Sequence, residues 1–212
     1  MTGANLRMLG EVTLVQLQPH GLIVKTPGET PTGSIYDASR RVEVDRLRIT
    51  PSGIEATLPS GENVLDIHHL DHPGKAYDDD DLVCVGFSSH YAAMRAEFGR
   101  HMLDGVAGEN IIIGNPEEIW PEDLAGTVWI ENQDTGRQAI FNLVNFAAPC
   151  VEFSQFCIQD QHNEIPKDRL REILRFLGRG RRGYLFVLDG QVDVVTVRPG
   201  DKVFVGEGRD DG

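Results

Sequence analysis

Short β-branched segments separated by turn residues constrain the fold of this chain more than any other feature of its sequence. Clusters of Gly, Pro or Ser bound the segments, as expected for strands that end at turns. The segments are Glu11–Gln18, Leu22–Thr26, Val42–Ile49, Ile54–Leu58, Leu82–Phe87, Asn110–Ile113, Thr127–Glu131, Gln138–Phe146, Tyr184–Leu188, Gln191–Val197 and Lys202–Val205. Many short strands are typical of barrels and sandwiches, so the sequence predicts a mainly β, barrel-like fold.

Two longer segments have the periodicity of amphipathic helices. Ser88–Met102 begins with serines that can cap a helix, and its apolar residues recur on roughly one face. Ile165–Leu177 has a cleaner apolar stripe and ends before Gly178, which suits the left-handed position after a helix. Asp189–Gly190 predicts a tight hairpin between its flanking strands. A length of 212 residues favours a single domain over residues 1–212.

An excess of acidic residues limits the kinds of partner. The chain has 33 Asp and Glu against 20 Lys and Arg, a formal net charge of −13. This charge opposes non-specific binding to nucleic acid and docking on an anionic membrane. No apolar run approaches the length of a membrane span, and residues 1–12 lack the apolar core of a signal peptide. Three cysteines do not make a disulfide scaffold, so we expect a reducing, cytoplasmic setting.

Cys150 is the candidate thiol because it follows Pro149 directly after a predicted strand. Proline ends the pairing of a strand, so a side chain at this point can face a cavity. A thiolate there can be a nucleophile or a soft metal ligand, or the residue can be a structural thiol at a strand kink. Cys84 lies in an apolar strand and is predicted to be a buried small hydrophobe. The spacing of Cys150 and Cys157 matches no zinc-binding pattern.

A glycine-rich turn precedes the predicted strand at Asn110. Gly105 and Gly108 allow a tight turn and a close approach of the backbone to a ligand. Glu109 and Asn110 then enter the strand, where polar side chains are unusual unless they form hydrogen bonds. The simpler interpretation is a turn whose Glu and Asn satisfy neighbouring backbone groups, and the alternative is a ligand-binding turn.

Two further clusters carry charge. Arg175, Arg179, Arg181 and Arg182 lie within eight residues of an acidic chain. Guanidinium groups bind phosphate or carboxylate in a bidentate manner, and basic residues also complement the C-terminus of a preceding helix. Residues 66–72 contain three histidines and two aspartates, but their spacing matches no known zinc pattern, which favours a solvated loop.

In their order along the chain, these features resemble the MOSC domain, the module named for the C-terminal part of molybdenum cofactor sulfurase. The similarity is closest to small stand-alone bacterial members. It covers residues 88–206, and residues 1–87 match more weakly as N-terminal strands of the same barrel. The landmarks are His90–Gly99, Gly108–Ile111, Leu124–Ile130, Pro149–Cys150, Arg182–Tyr184 with Gly190, and Pro199–Val203.

The resemblance implies a MOSC-type β-barrel with a few peripheral helices and a pocket for a molybdopterin-type molybdenum cofactor. By this similarity, Cys150 ligates molybdenum or carries sulfur. The residues implied to bind the cofactor are Gly108, Glu109, Asn110, Arg179, Arg181 and Arg182. Two positions depart from the family pattern. Ala147 and Ala148 stand where members often carry an arginine, and Leu65–His68 replaces a Gly-Asp-x-His element, so both changes are expected to remove polar residues near a cofactor.

Three functions follow from the resemblance. The first is an enzyme that reduces small N-hydroxylated substrates by two electrons, with Cys150 as molybdenum ligand. Nothing in the sequence resembles a flavin, haem or nicotinamide site, so this enzyme needs an electron-donor protein. The second is a non-catalytic module that binds the cofactor or carries a persulfide on Cys150, loaded by a cysteine desulfurase. The third is a degenerate barrel that binds an anionic small molecule through its arginines.

Overall fold

A computed structural model of the chain describes residues 6–74, 83–189 and 194–206. The strands are β1 (Arg7–Leu17), β2 (Ile23–Lys25), β3 (Ser34–Tyr36), β4 (Val42–Glu43), β5 (Leu47–Thr50), β6 (Gly53–Thr57), β7 (Asn63–Leu65), β8 (Val83–Phe87), β9 (Ile111–Gly114), β10 (Thr127–Glu131), β11 (Gln138–Phe146), β12 (Tyr184–Leu188), β13 (Val195–Val197) and β14 (Lys202–Gly206). The helices are α1 (Ser88–Phe98), α2 (Val151–Cys157) and α3 (Lys167–Leu177), with single 3₁₀ turns at Ala38–Arg40 and Pro121–Leu124.

Seven of the described strands form a closed barrel. Their order is β14-β10-β11-β12-β8-β9-β1, and β1 pairs with β14 to close the ring. The neighbours are antiparallel except β8 and β9, which run parallel. Parallel neighbours need a crossover connection, which α1 and the turn after it provide. The crossover therefore brings the glycine-rich turn to the point where β9 begins.

The apolar residues of the barrel follow its two covered faces. Ile111 and Ile113 pack inside the barrel, whereas Ile112 joins a second apolar cluster beneath the helices. This second cluster includes Tyr91 of α1 and Phe153 of α2. A strand that is buried on both faces carries apolar residues at consecutive positions, which explains the run of isoleucines. The predicted mainly β barrel with peripheral helices is therefore confirmed.

Two smaller sheets lie outside the barrel in the described ranges. One has four strands in the order β13-β5-β6-β7, and the other pairs β2 with β3. The strand predicted over Val42–Ile49 divides into β4, which pairs with β1, and β5, which belongs to the four-stranded sheet. None of the described helices has both the length and the apolar character needed to cross a membrane.

In the described ranges, β12 and β13 do not form the hairpin predicted around Asp189–Gly190. β12 pairs with β11 on one side and with β8 on the other, so it has no edge for β13. Val195–Val197 pairs instead with β5. Residues 190–193, which include the predicted turn, lie outside the described residues.

The helix boundaries differ from the sequence prediction in three ways. Cys150, predicted at a strand end, caps the unpredicted helix α2. Helix α1 ends at Phe98, and Ser88 Oγ exchanges hydrogen bonds with the backbone of Asn115 instead of capping it. Gly178 has a φ of −70°, and the left-handed conformation falls on the next residue. Capping signals in the sequence thus located the helices but not their ends.

Candidate functional site

A cavity of about 220 Å³ lies where the glycine-rich turn meets the barrel. Cys84 of β8, Gly108 of the turn and Arg182 at the start of β12 contribute to its wall. Three residues of the N-terminal half also line the cavity, namely Gln18, Tyr36 and His68. Ala147, which follows β11, completes the wall. Residues that are far apart in sequence therefore share one concave surface, as expected of a binding site.

The guanidinium of Arg182 is the cationic group of this cavity. It donates from Nη1 to the carbonyl of Ala148, and its carbon lies 5.1 Å from the centre of the Phe153 ring. Its Nε is buried and has no hydrogen-bond partner among the described residues. Burial lowers the pKa of Arg182, but neighbouring groups, Cys150 first among them, outweigh it and leave the pKa raised. A buried, charged donor with spare capacity suits an anionic ligand.

The other two arginines predicted at the site lie elsewhere. Arg181 is 2.8 Å from a carboxylate oxygen of Glu118, and its guanidinium lies 5.1 Å from the Trp120 ring centre. Arg179 forms an exposed ion pair of 2.7 Å with Glu122. Neither residue lines the cavity. The structure therefore places Arg182 at the cavity and the other two arginines outside it. A ligand-binding role for Arg179 and Arg181 stays a prediction that their positions do not support.

Cys150 borders the cavity without lining it. Its Sγ lies 3.4 Å from the backbone N–H of Phe153 and accepts a hydrogen bond from it at the start of α2. The thiol interacts electrostatically with Arg182 and Tyr36, and both of these residues line the cavity. A guanidinium can pair with the thiolate, the form of cysteine that binds metals and attacks sulfur. The third cysteine, Cys157, is fully buried, and burial raises its pKa to about 12.

Cys84 lines the cavity, and its prediction as a buried core residue is wrong. Val83 and Val85 pack inside the barrel, so the alternation of a strand turns Cys84 outward. A Cβ on Gly183 would lie 3.0 Å from the Cys84 sulfur and 2.9 Å from Cγ of Glu109. Glycine at this position therefore makes room for both side chains. The period-two alternation of β8 was the sequence signal that identifies Cys84 as a cavity residue.

Glu109 is fully buried behind the cavity wall. The hydroxyl of Tyr91 donates to its Oε2 at 2.5 Å and accepts a hydrogen bond of 3.0 Å from the N–H of Ala107. Oε1 of Glu109 has no hydrogen-bond partner in the described ranges. Burial raises the pKa of Glu109 to about 7, although the bond from Tyr91 lowers it. Glu109 therefore supports the turn from within and does not itself line the cavity.

Asn110 connects the turn to two other parts of the cavity wall. Its Oδ1 accepts a hydrogen bond of 3.0 Å from the N–H of Cys84, and its Nδ2 donates to Asp66 over 3.0 Å. Nδ1 of His68 lies 2.8 Å from the buried carboxylate of Asp66. The expected loss of polar residues at Leu65–His68 is thus wrong, because Asp66 and His68 are both present and His68 lines the cavity.

The histidine-rich segment is folded and forms no metal site in the described part of the chain. No group of three or more His, Cys, Asp or Glu side chains there could hold a metal ion. Nδ1 of His69 accepts from the N–H of Asp71, and Nδ1 of His72 accepts from that of Gly74. These two histidines stabilise their own turn through these hydrogen bonds, instead of lying in solvent.

The groups gathered at the cavity fit a ligand that is anionic and binds sulfur. Arg182 offers a buried donor with no partner among the described residues, and two thiols lie near it. Gly108 contributes backbone to the wall, where the absence of a side chain permits close approach. Ala147 lines the wall at the position of the expected arginine, so Arg182 carries the guanidinium of this cavity.

Comparisons with known proteins agree with this architecture. The family model of the MOSC domain matches residues 72–204, more than half of the chain. The structure of the YuaD protein from Bacillus subtilis is similar over 93% of this chain and 98% of its own, with 12% identity and a TM-score of 0.50. YiiM from Geobacillus stearothermophilus covers 91% of this chain and 75% of its own, with 15% identity and a TM-score of 0.46. At such identities the likeness concerns the fold alone. A search of curated proteins found no match.

Proposed function

This chain belongs to the MOSC domain family, and on that premise we propose that its cavity binds a molybdopterin-type cofactor with Cys150 as the thiol ligand of molybdenum. The family is associated with molybdenum cofactor binding. The observation that carries the proposal is the buried Nε of Arg182, a charged donor without a partner in the described ranges, on a guanidinium that interacts electrostatically with two thiols. Such a donor is costly to bury unless a ligand uses it.

Each residue of the cavity has a distinct part in this proposal. Arg182 binds the anionic portion of the cofactor, and Cys150 supplies a soft sulfur, which suits molybdenum. Gly108 lets the backbone approach the ligand closely, while Asn110 holds the turn against β8. When bound, the cofactor would supply the capacity to exchange two electrons, which no side chain of this protein can provide.

The finer proposal is the reduction of small N-hydroxylated substrates. The cavity of about 220 Å³ is open to a small molecule. The substrate would lose its hydroxyl oxygen as water, with two electrons supplied by a separate electron-donor protein. The sequence holds no site of its own for a flavin, haem or nicotinamide, so this partner is required.

The first test is the molybdenum content of the purified protein. We would produce it in a host that makes the cofactor and measure metal per chain by elemental analysis. The wild type is expected to carry about one molybdenum per chain, by analogy with single-site metal binding. Cys150→Ala should lose the metal, and Cys84→Ala should keep it. Cys157→Ala is the control, because this cysteine is fully buried and does not line the cavity.

Two outcomes would change the assignment. Loss of metal in Cys84→Ala but not in Cys150→Ala would transfer the ligand role to the thiol that lines the cavity. A metal-free wild type would reject cofactor binding, provided that another family member loads molybdenum in the same host.

The second candidate is a sulfur carrier with Cys150 as persulfide site. The guanidinium of Arg182 close to this sulfur favours it, because persulfide transfer proceeds through the thiolate. Incubation with a cysteine desulfurase and cysteine should then add the mass of about one sulfur atom to the wild type. Cys150→Ser should gain nothing at this position. An unchanged wild-type mass would reject the carrier function.

Calorimetry distinguishes the third candidate from the other two. This candidate is a barrel that binds an anion without a cofactor. Titration with phosphorylated small molecules should show binding by the wild type and none by Arg182→Ala. Arg181→Ala is a matched control, since its guanidinium already pairs with Glu118. Equal binding by the wild type and Arg182→Ala would remove this arginine from every version of the proposal.

A further inference from the structure

Asp66 is a buried carboxylate whose oxygens are all engaged. Only 1% of its side chain is exposed. Oδ2 accepts from the N–H of Gln18 at 2.8 Å and from Nδ2 of Asn110 at 3.0 Å. Oδ1 accepts from the backbone N–H of His68 at 3.1 Å and lies 2.8 Å from Nδ1 of the same residue. A carboxyl group that receives this many donors is an ionised acceptor.

The bond to Asp66 fixes the orientation of the His68 ring. Because the carboxylate can only accept, Nδ1 of His68 carries a proton. Nε2 lies on the opposite side of the ring from Nδ1, and the residue itself lines the cavity. One third of the His68 side chain is exposed. The edge of the ring that carries Nε2 is therefore the edge away from the buried carboxylate of Asp66.

The supports of this pair belong to the same framework as the rest of the site. Asn110, which donates to Asp66, also accepts the N–H of Cys84 in the cavity wall. Gln18 donates its own N–H to Asp66 and bonds the turn through Nε2 and the carbonyl of Gly108, at 2.6 Å. The position of the imidazole is thus fixed relative to the backbone of β8 and the glycine-rich turn.

We propose that His68 delivers a proton to the departing hydroxyl of the substrate and that Asp66 is its positioning residue. The inference rests on the proposed reduction of an N-hydroxylated substrate. In that reaction the N–O bond breaks, and the oxygen leaves as water after it takes a proton from Nε2 of His68. Two electrons from the electron-donor protein and a second proton from solvent complete the amine. The buried carboxylate stabilises the imidazolium that gives the first proton.

The charged and titratable groups around the imidazole are consistent with this role in the described part of the chain. Asp66 lies on its own turn, Arg182 comes from the start of β12 and Cys84 from β8. Arg182 holds the anionic portion of a ligand, whereas His68 supplies an imidazole, the side chain that proteins most often use to transfer protons.

The positioning part can be tested without any cofactor. Long-range proton–nitrogen NMR of histidine-labelled protein reports which ring nitrogen carries hydrogen, and a spectrum of His68→Gln assigns the signals. We expect His68 to be protonated at Nδ1 in the wild type and to lose this preference in Asp66→Asn. A wild-type His68 protonated only at Nε2 would overturn the positioning role of Asp66.

The proton-delivery part is tested on molybdenum-loaded protein, with N-phenylhydroxylamine as substrate and reduced methyl viologen as electron donor. The amide of His68→Asn can replace Nδ1 at Asp66, and that of His68→Gln can occupy the place of Nε2, but neither transfers a proton. Both variants should keep the wild-type molybdenum content and lose about 100-fold or more in turnover, the usual range for a general acid. If His68 had only a structural role, the turnover of His68→Asn would stay at the wild-type level.

The controls separate this inference from the proposed function. His72→Gln alters a histidine of the same turn that does not line the cavity, and it should leave turnover unchanged. Full metal content with wild-type turnover in both His68 variants would overturn proton delivery and leave cofactor binding intact. A metal-free wild type would reject the proposed function and proton delivery together, while the NMR result decides the positioning role independently.

Discussion

The cavity and the tryptophan cluster, which we define as Glu118, Trp120, Phe176, Arg181 and His90, meet at one pair of consecutive arginines. Arg181 belongs to the cluster and Arg182 to the cavity. In the cluster, the guanidinium meets a carboxylate and lies 4.2 Å from the Phe176 ring centre. In the cavity, the neighbouring guanidinium has a carbonyl and a ring but keeps Nε without a partner in the described ranges.

This difference shows that pairing with a carboxylate, and not position in the sequence, distinguishes a structural arginine from one that can bind a ligand. A guanidinium neutralised by a carboxylate has little left for a ligand, whereas one supported by thiols and a carbonyl still offers a donor. A buried titratable side chain also lies beside the cavity and another in the cluster, and burial favours the neutral form of both. Burial raises the pKa of Glu109 to about 7 and lowers that of His90 to about 4.

The largest expected effect is on the glycines that separate the two regions. A Cβ on Gly180 would lie 2.1 Å from the Tyr184 ring, and one on Gly183 would lie 2.9 Å from Glu109, both at positive φ. Gly180→Ala should cost about 4 kcal/mol and Gly183→Ala about 3 kcal/mol, the sum of backbone strain and overpacking. Gly136→Ala, with positive φ but open space, should cost only about 1 kcal/mol. Urea denaturation measures all three, and equal costs would contradict the steric argument.

The next effect is a pair of opposite pH dependences. Glu109 binds its proton more tightly in the folded chain, so its contribution to stability falls as pH rises from 4.5 through about 7. His90 binds its proton less tightly when folded, so its contribution falls as pH drops from 6.5 through about 4. As pH rises from 5 to about 8, the free energy of unfolding of Glu109→Gln should increase relative to that of wild type by on the order of 2 kcal/mol. As pH falls from about 7 to 4, the free energy of unfolding of His90→Phe should increase relative to that of wild type by a similar amount.

Denaturation curves across this pH range, with wild type and both variants in the same buffers, check these signs. Parallel pH profiles for wild type and Glu109→Gln would show that this carboxyl does not titrate differently in the folded protein.

A smaller contrast concerns the buried hydroxyls of Tyr91 and Tyr184. Tyr91→Phe strips a partner from Glu109 and from the N–H of Ala107, and we expect a cost of about 2 kcal/mol. Tyr184→Phe loses the bond of 2.7 Å to the carbonyl of Ile119 and should cost about 1 kcal/mol. Tyr91→Phe should also raise the pKa of Glu109 further, because the hydroxyl lowers it. Chemical denaturation at several pH values tests both points, and identical behaviour of the two variants would count against the contrast.

The smallest effects distinguish the arginines themselves. Arg181→Ala removes a mostly buried ion pair and its aromatic contacts, so it should cost about 1 to 2 kcal/mol. Arg179→Ala breaks an exposed pair and should change stability by no more than about 0.5 kcal/mol. Arg182→Ala should instead abolish anion binding in calorimetry. Retained binding in Arg182→Ala together with loss in Arg181→Ala would reverse the comparison.

The fold was accessible from the sequence because its signals are local and repeated. Alternating β-branched segments and turn residues predicted most of the barrel strands, and the ordered landmarks identified the barrel type. The features that the sequence did not reveal depend on contacts between residues that are far apart in the chain. The Asp189–Gly190 signal did not reveal that β12 already has neighbours on both sides, and Pro149–Cys150 did not reveal the short helix that follows.

The site was only partly accessible for the same reason. Gly108 and Arg182 were identified as candidates and line the cavity, and Cys150 borders it. Cys84 was missed because its apolar neighbours outweighed the alternation that turns it outward. Asp66 and His68 were discounted because a motif comparison registers a changed glycine but not a buried carboxylate that three segments of the chain hold in place.

Closure of the barrel by β14 bears on when the protein can fold during its synthesis. This strand inserts between β1, near the start of the chain, and β10, so it completes two pairings at once. Until it leaves the ribosome, β1 and β10 each keep an open edge, and the ring cannot close. Contacts of such sequence separation form slowly, so the nascent chain exposes open strand edges that favour aggregation until β14 has been made.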